Sequence, residues 1–220
     1  MSFIRRLSTA YQRHKLISGM VSSIVDMEYI RADQLPFDPR PQMGMIFSDG
    51  FYQWLRHFSK DKERLARAFA HIFDLSRFYA ASHGNEIMGF VACVERKPPP
   101  IQLDTKTLRR ELGIVAGSIA FFALNKYMME TPYPFDMPRN AGSIEFVATA
   151  PNHKGKGVAS GLIAYIISTM PYNEYVLEVA ETNTPAVRLY EKLGFKEFRR
   201  KPAPKRSGVG NFLYMKVNRV

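Results

Sequence analysis

The sequence predicts a mixed α/β (α+β) fold in a single domain of 220 residues. Three observations carry that reading. Short alternating runs rich in β-branched and aromatic residues recur along the whole chain, at 26–32, 77–81, 86–95, 143–149, 175–180, 196–200 and 211–217. Helix-period apolar patterns fall between them rather than in a separate block. One strand-like run, 143–149, passes through Pro151 and Asn152 into the glycine-spaced turn Lys154-Gly155-Lys156-Gly157, and from there into an apolar helix.

Taken in order, residues 1–25 carry five basic side chains counting His14 and no acid before Asp26. Polar and apolar residues are mixed there, so a helical extension packed on the domain is expected, with an organellar transit peptide or membrane-surface helix as alternatives. The domain proper spans 26–220. After the strand at 26–32, Pro36 to Pro41 reads as a turn-rich break. Two amphipathic helices follow at 45–58 and 61–73; His57 and His71 lie in them without metal-spaced partners. Ser82-His83-Gly84-Asn85 separates 77–81 from 86–95 as a hairpin turn, and Cys93 inside the second strand reads as a buried thiol.

Pro98, Pro99 and Pro100 end that strand and open a segment running to Asn140. Asp104 or Thr105 can cap a helix bearing Leu108, Leu112 and Val115. From Gly113 to Leu124 the chain is uncharged; about twelve residues cannot span a bilayer, so this run is buried in protein, lines a pocket or forms a partner surface. Beyond the turn at 154–157, Val158, Leu162, Ile163, Ile166 and Ile167 give an apolar helix face that stops at Pro171. The strand from Tyr175 leads to a helix with Pro185 near its start and Gly194 past its end. The last two strands, 196–200 and 211–217, are joined by a basic loop.

A helix that begins directly after glycines presents unpaired N–H groups and the positive end of its dipole to one small volume, which suits phosphate oxygens. A Walker loop needs Ser or Thr after its lysine, whereas Gly157 follows Lys156. A dinucleotide fingerprint begun at Gly155 and Gly157 needs its third glycine where Ser160 stands. Both are excluded on spacing.

Lys154-Gly155-Lys156-Gly157-Val158-Ala159 resembles the phosphate motif (Arg/Gln)-x-x-Gly-x-(Gly/Ala) of the GNAT superfamily of N-acetyltransferases, with lysine in the first place. Asn183, Ala186, Leu189, Tyr190, Lys192, Gly194 and Phe195 match that family's second signature, Asn-x-x-Ala-x-x-Leu-Tyr-x-Lys-x-Gly-Phe. The resemblance implies a mostly antiparallel mixed sheet of about seven strands, splayed between the fourth and fifth and flanked by helices. The segment 97–140 departs from it as a helical insertion between the third and fourth strands, expected to lie over the acceptor side with Tyr127, Tyr133 and Phe135, or to serve as a structural pair or dimer contact.

The same resemblance implies acetyl-CoA as co-substrate and an amine as acceptor, joined by direct transfer in a ternary complex. Val147 and Thr149 are then expected to pair with the pantetheine amides through their backbone. Residues 154–159 would hold the pyrophosphate, and Asn183 would touch the pantetheine arm or cap its helix. Glu145, a carboxylate within an apolar strand, is the expected general base, with Glu178 as second choice. Tyr190 is the expected donor to the departing thiolate. No metal is required.

The net charge of +11 and pI near 9.8 imply affinity for polyanions, which coenzyme A satisfies. Six basic residues against one acid between Lys196 and Arg206 admit an acidic acceptor, or merely solvated hairpin charge. No nucleic-acid motif accompanies the charge. A single cysteine and the lack of an apolar run of about 18 residues point to a reducing cytoplasm. The competing expectations are a non-catalytic acyl-CoA-binding module and, motivated by charge alone, a nucleic-acid-associated protein; a homodimer is also open.

Overall fold

Seven strands form one mixed sheet: β1 (Glu28–Arg31), β2 (Phe78–His83), β3 (Glu86–Val94), β4 (Ala141–Thr149), β5 (Glu174–Ala180), β6 (Lys196–Pro202) and β7 (Asn211–Asn218). Their order across the sheet is β1-β2-β3-β4-β5-β7-β6, antiparallel throughout except for the β4–β5 pair. This computed structural model describes residues 27–95, 99–126, 133–204 and 208–219. The basic stretch 1–25, Pro98, Tyr127, Lys205 and Arg206 fall outside the described residues.

The helices are α1 (Arg40–Gly50), α2 (Tyr52–Leu55), α3 (Lys62–Phe69), α4 (Thr105–Leu112), α5 (Ile114–Leu124), α6 (Val158–Thr169) and α7 (Thr184–Lys192). One face of β1–β4 is covered by α1 to α5 around Met43, Phe47, Leu65, Phe69, Phe78 and Phe90. The opposite face, centred on β4, β5 and β7, is covered by α6 and α7 around Leu162, Ile163, Ile166, Tyr175, Leu177 and Tyr190. Burying such side chains at about 25 cal/mol per Å² is the main force closing the sheet between its two helical layers.

The chain breaks where cap chemistry says it should. Asp61 accepts from the N–H groups of Glu63 and Arg64 at the start of α3, and Asp104 from those of Lys106 and Thr107 at the start of α4. The stretch Pro36 to Pro41, expected as a break, instead runs into α1, which begins at Arg40 with Pro41 in its first turn. Proline lacks only a donor that the first helical turn leaves unpaired anyway, so it starts this helix rather than ending one. The expected helix 45–58 is accordingly two pieces, α1 and α2.

The insertion adds to the α1–α3 layer. Arg64 Nε donates to the carbonyl of Glu111, and Arg67 pairs with its carboxylate at 3.5 Å, which joins α4 to α3. Helix α5 then packs on α4 by its small residues. Ala120 is fully buried, and a Cβ built on Gly117 would lie 2.5 Å from the carbonyl oxygen of Leu108. Its large apolar residues Ile114, Val115, Ile119 and Phe122 face outward, 56–75% exposed, so the uncharged run is not simply buried in the domain.

Candidate active site

Strand β4 changes character halfway along. From Ala141 to Ile144 it pairs with β5 in parallel register, Ile144 opposite Leu177, and no ladder pair continues beyond that point. Glu145 to Thr149 keep β3 as a neighbour, while Glu178 to Ala180 keep β7. The two strands therefore part at Glu145 and Glu178, which is the splay expected between the fourth and fifth strands. Val147 and Thr149 lie on the parted stretch, half-buried, with their β5-facing backbone outside any ladder.

A bulge sits at the same place. Phe90 faces Ala148 and Ala92 faces Glu145, so two steps on β3 oppose three on β4. The extra residue is accommodated by Phe146, whose φ of 53° lies in the left-handed region, a conformation costing on the order of 1–3 kcal/mol for such a residue. Its ring is held near those of Phe47, Phe51 and Phe78, at 6.2, 6.2 and 6.1 Å. The alternation of this run gives no sign of the bulge. It puts Phe146 on the face of α1 and returns Val147 to the face of α6.

At the far end of β4, Pro151 to His153 form one 3-10 turn, and Gly155 and Gly157 follow with φ of 77° and 82°. A Cβ on either glycine would meet nothing within 4 Å, so the requirement for glycine here comes from backbone conformation, and the space above the turn is open. Gly157 is the N-cap of α6 and supplies no side-chain acceptor, which leaves the first N–H groups of the helix for an anion. Val158 is buried and Ala159 half-buried. Lys156 is exposed; Lys154 pairs with Asp49 at 3.3 Å, the same carboxylate that Lys62 holds at 2.5 Å. These two cations keep the Asp49 carboxyl below its usual range.

His153, unremarked in the sequence, anchors the turn. Its Nε2 lies 2.8 Å from Glu86 at the start of β3, and that hydrogen bond keeps the Glu86 carboxyl below its usual range. Asn183 acts as the cap of α7, accepting from the N–H of Ala186 at 3.4 Å. Tyr190 is buried among the α6–α7 core with Phe195 at 6.0 Å, and burial pushes its phenol up to about 12. Cys93 is a buried free thiol, as expected, also pushed to about 12 by burial and by the nearby Glu145 carboxylate.

Glu145 occupies the opposite side of the sheet from Tyr190. Its Oε1 accepts from the hydroxyls of Ser143 and Tyr133, each at 2.9 Å, and those hydroxyls lie 2.5 Å apart. Tyr133 and Phe135 pack with Met137, Ala141 and Val176, whereas Leu177, the next residue of β5, belongs to the cluster of Tyr190. Burial raises the Glu145 carboxyl above its ordinary value, and the charge of Glu178 adds to the rise; the two hydroxyl donors oppose it. Tyr133 is raised by burial as well, with the Glu145 charge second.

Two arginines of the exposed β6 edge are engaged within the molecule. Arg200 binds the Glu197 carboxylate through two bonds of 2.9 Å and approaches Glu181, while Arg199 donates to the carbonyl of Pro134. Among the described residues no group of three or more His, Cys, Asp or Glu is arranged to hold a metal ion, and no helix is long and apolar enough to cross a membrane.

A family model, the acetyltransferase (GNAT) family, matches residues 43–195. Among curated proteins no sequence matches the chain. Solved structures share its fold at low identity. An N-acetyltransferase from Staphylococcus aureus Mu50 is 16% identical with a TM-score of 0.56, covering 86% of this chain and 100% of its own. A GNAT-family acetyltransferase from Bacillus cereus ATCC 10987 is 12% identical with a TM-score of 0.53, covering 88% and 98%. The yncA protein of Salmonella typhimurium, solved with its cofactor acetyl-CoA, is 14% identical with a TM-score of 0.50, covering 89% and 95%.

Proposed function

The chain belongs to the acetyltransferase (GNAT) family, and from that premise we propose that it transfers an acetyl group from acetyl-CoA directly to an amine held in the same complex. The observation that carries this reading is the parting of β4 from β5 at Glu145 and Glu178, with the open glycine turn at one end of the gap. Glu145 and Tyr190 lie on opposite faces of the sheet and could not reach a common atom through a continuous ladder. The gap removes that obstacle.

The residues present fit coenzyme A. The N–H groups at the start of α6 receive phosphate oxygens, with Gly155 and Gly157 allowing close backbone approach and Lys154 and Lys156 adding charge. The unladdered backbone of Val147 and Thr149 pairs with pantetheine amides as an added strand would. Asn183 serves this site by capping α7, which fixes Tyr190. The thioester, when bound, supplies the activated acyl carbon.

Glu145 takes one proton from the acceptor ammonium, and its raised pKa brings it closer to the pH at which a carboxylate is an effective base. The nitrogen lone pair attacks the carbonyl carbon, the C–S bond breaks, and Tyr190 gives its phenolic proton to the departing sulfur. The second proton shed by nitrogen restores Tyr190, and Glu145 returns its own to water. Holding both reactants in the gap supplies much of the acceleration.

The test is thiol release from acetyl-CoA by the full chain over a panel of small amines and amino-terminal peptides. Acceptor-dependent release with stoichiometric N-acetylation by mass spectrometry is expected. Tight coenzyme A binding with no acceptor-dependent release across the panel would instead make the protein an acyl-CoA-binding module.

A further inference from the structure

The segment leaving the insertion passes directly over the carboxylate assigned above as the base. Tyr133 lies at its start, ten residues before Ser143 and twelve before Glu145, and its ring is wedged between Phe135 at 5.3 Å and Tyr214 of β7 at 6.2 Å. Phe135 is in turn bracketed by Phe198 at 4.9 Å and Tyr214 at 5.4 Å, and Arg199 ties the neighbouring Pro134 carbonyl to β6. The phenol is thus aimed by Phe135 of its own segment and Tyr214 of β7, with Phe198 of β6 backing Phe135. A tyrosine set this firmly presents its hydroxyl in one direction.

That direction is Oε1 of Glu145. Ser143, two residues earlier on the same face of β4, sends its hydroxyl to the same oxygen. The two hydroxyls also lie within hydrogen-bond distance of each other at 2.5 Å, so Tyr133, Ser143 and Oε1 form one closed triad in which the proton of either hydroxyl can reach the carboxylate. Oε2 makes no hydrogen bond among the described residues. Among the described residues the carboxyl is therefore held at one oxygen, Oε1.

We propose that Tyr133, contributed by the insertion, is a positioning residue for Glu145: with Ser143 it fixes Oε1 so that Oε2 is presented to the acceptor's proton. This rests on Glu145 being the base. It assigns the end of the insertion a part in building the site, distinct from that of its helices, and it makes the 2.9 Å phenol–carboxylate bond the link between the added segment and the chemistry. The groups facing Glu145 are Tyr133 and Ser143, which stabilise the carboxylate, and Glu178 on β5, which opposes it; the Cys93 thiol on β3 lies on the other face of the sheet and stays protonated. Removing a donor to the charged form must move the titration upward.

The experiment is a pH titration of the full chain labelled with ¹³Cδ-glutamate, with the Glu145 resonance identified by its loss in Glu145→Gln. Tyr133→Phe keeps the packed ring and deletes only the hydroxyl. The midpoint of Glu145 is expected to rise by about one pH unit in this variant. The acid limb of the rate profile with an amine from the acceptor panel should move with it, at unchanged acetyl-CoA affinity by calorimetry. Ser143→Ala should shift the midpoint in the same direction and Ser143→Thr should restore it, which gives the same readout should Tyr133→Phe misfold. An unmoved midpoint in the hydroxyl-deleting variants overturns the proposal. Full turnover in Glu145→Gln would overturn the assignment of the base instead, whatever the titrations of the other variants show.

Discussion

The two halves of the gap are built by different rules. On the side proposed for coenzyme A, β4, the glycine turn, α6, β5 and α7 are consecutive in the chain, and what they present is backbone: left-handed glycines, uncapped N–H groups and an unladdered strand edge. On the side proposed for the acceptor, the groups around Glu145 are side chains drawn from β4, β5, β7 and the segment after α5. A site made of backbone is fixed by short local patterns and tolerates drift elsewhere. One made of side chains from distant segments can be re-specified by changing any of them. Substitutions on the two sides should therefore fail in different ways.

The largest effect is expected on the acceptor side. Glu145→Gln should lower turnover about 100-fold or more, the usual range for loss of a general base, with coenzyme A affinity unchanged by calorimetry. Its effect on stability has the opposite sign. The Glu145 carboxyl is raised in the folded state, so the stability of its protonated form is present below the ordinary carboxylate range and is lost as pH rises through the folded value. The glutamine stays neutral and can still accept from Tyr133 and Ser143. Thermal melts should show the variant gaining on the parent chain between pH 4 and pH 8, and a gain that shrinks with pH would contradict a raised Glu145.

On the cofactor side the expected loss is in binding. Gly157→Val imposes a left-handed conformation on a β-branched residue, at about 1–2 kcal/mol, and fills the open space over the turn. Coenzyme A affinity should fall roughly tenfold or more. Gly84→Ala is the control, because Gly84 also has positive φ and open surroundings but lies in the β2–β3 hairpin. Its strain should cost stability and leave coenzyme A binding alone; equal losses of affinity in both would mean that the phosphate turn has no special role.

The same division explains what could be read from sequence. The turn at 154–159 and the signature from Asn183 to Phe195 were legible because each is a local pattern that answers a backbone requirement, and the strands between them alternate. The start of α1 is not legible because Pro39 and Pro41 read as breakers, while their missing donors are harmless at the cap and first turn. The Phe146 bulge left no compositional trace, since its support comes from Phe47, Phe51 and Phe78 far along the chain. Glu145 was legible as a carboxylate in an apolar strand, but its tie to Tyr133 depends on how an insertion folds back, and no spacing rule encodes that.

Helix α5 gives the smallest expected effect and the sharpest limit on how far the acceptor side extends. Its outward residues are apolar, its inward ones small, the reverse of an ordinary surface helix, so a hydrophobic pattern cannot tell which face is buried. Phe122 is 67% exposed and its ring touches Phe121 at 5.6 Å. Phe122→Ser exchanges residues of similar helix propensity at an exposed position, and stability by urea denaturation should change by no more than about 0.5 kcal/mol. If the role of the insertion in catalysis is confined to Tyr133, turnover and acceptor KM should also be unchanged. A several-fold rise in acceptor KM with turnover preserved would mean that the acceptor reaches α5, and the side-chain half of the site would then extend over the whole insertion.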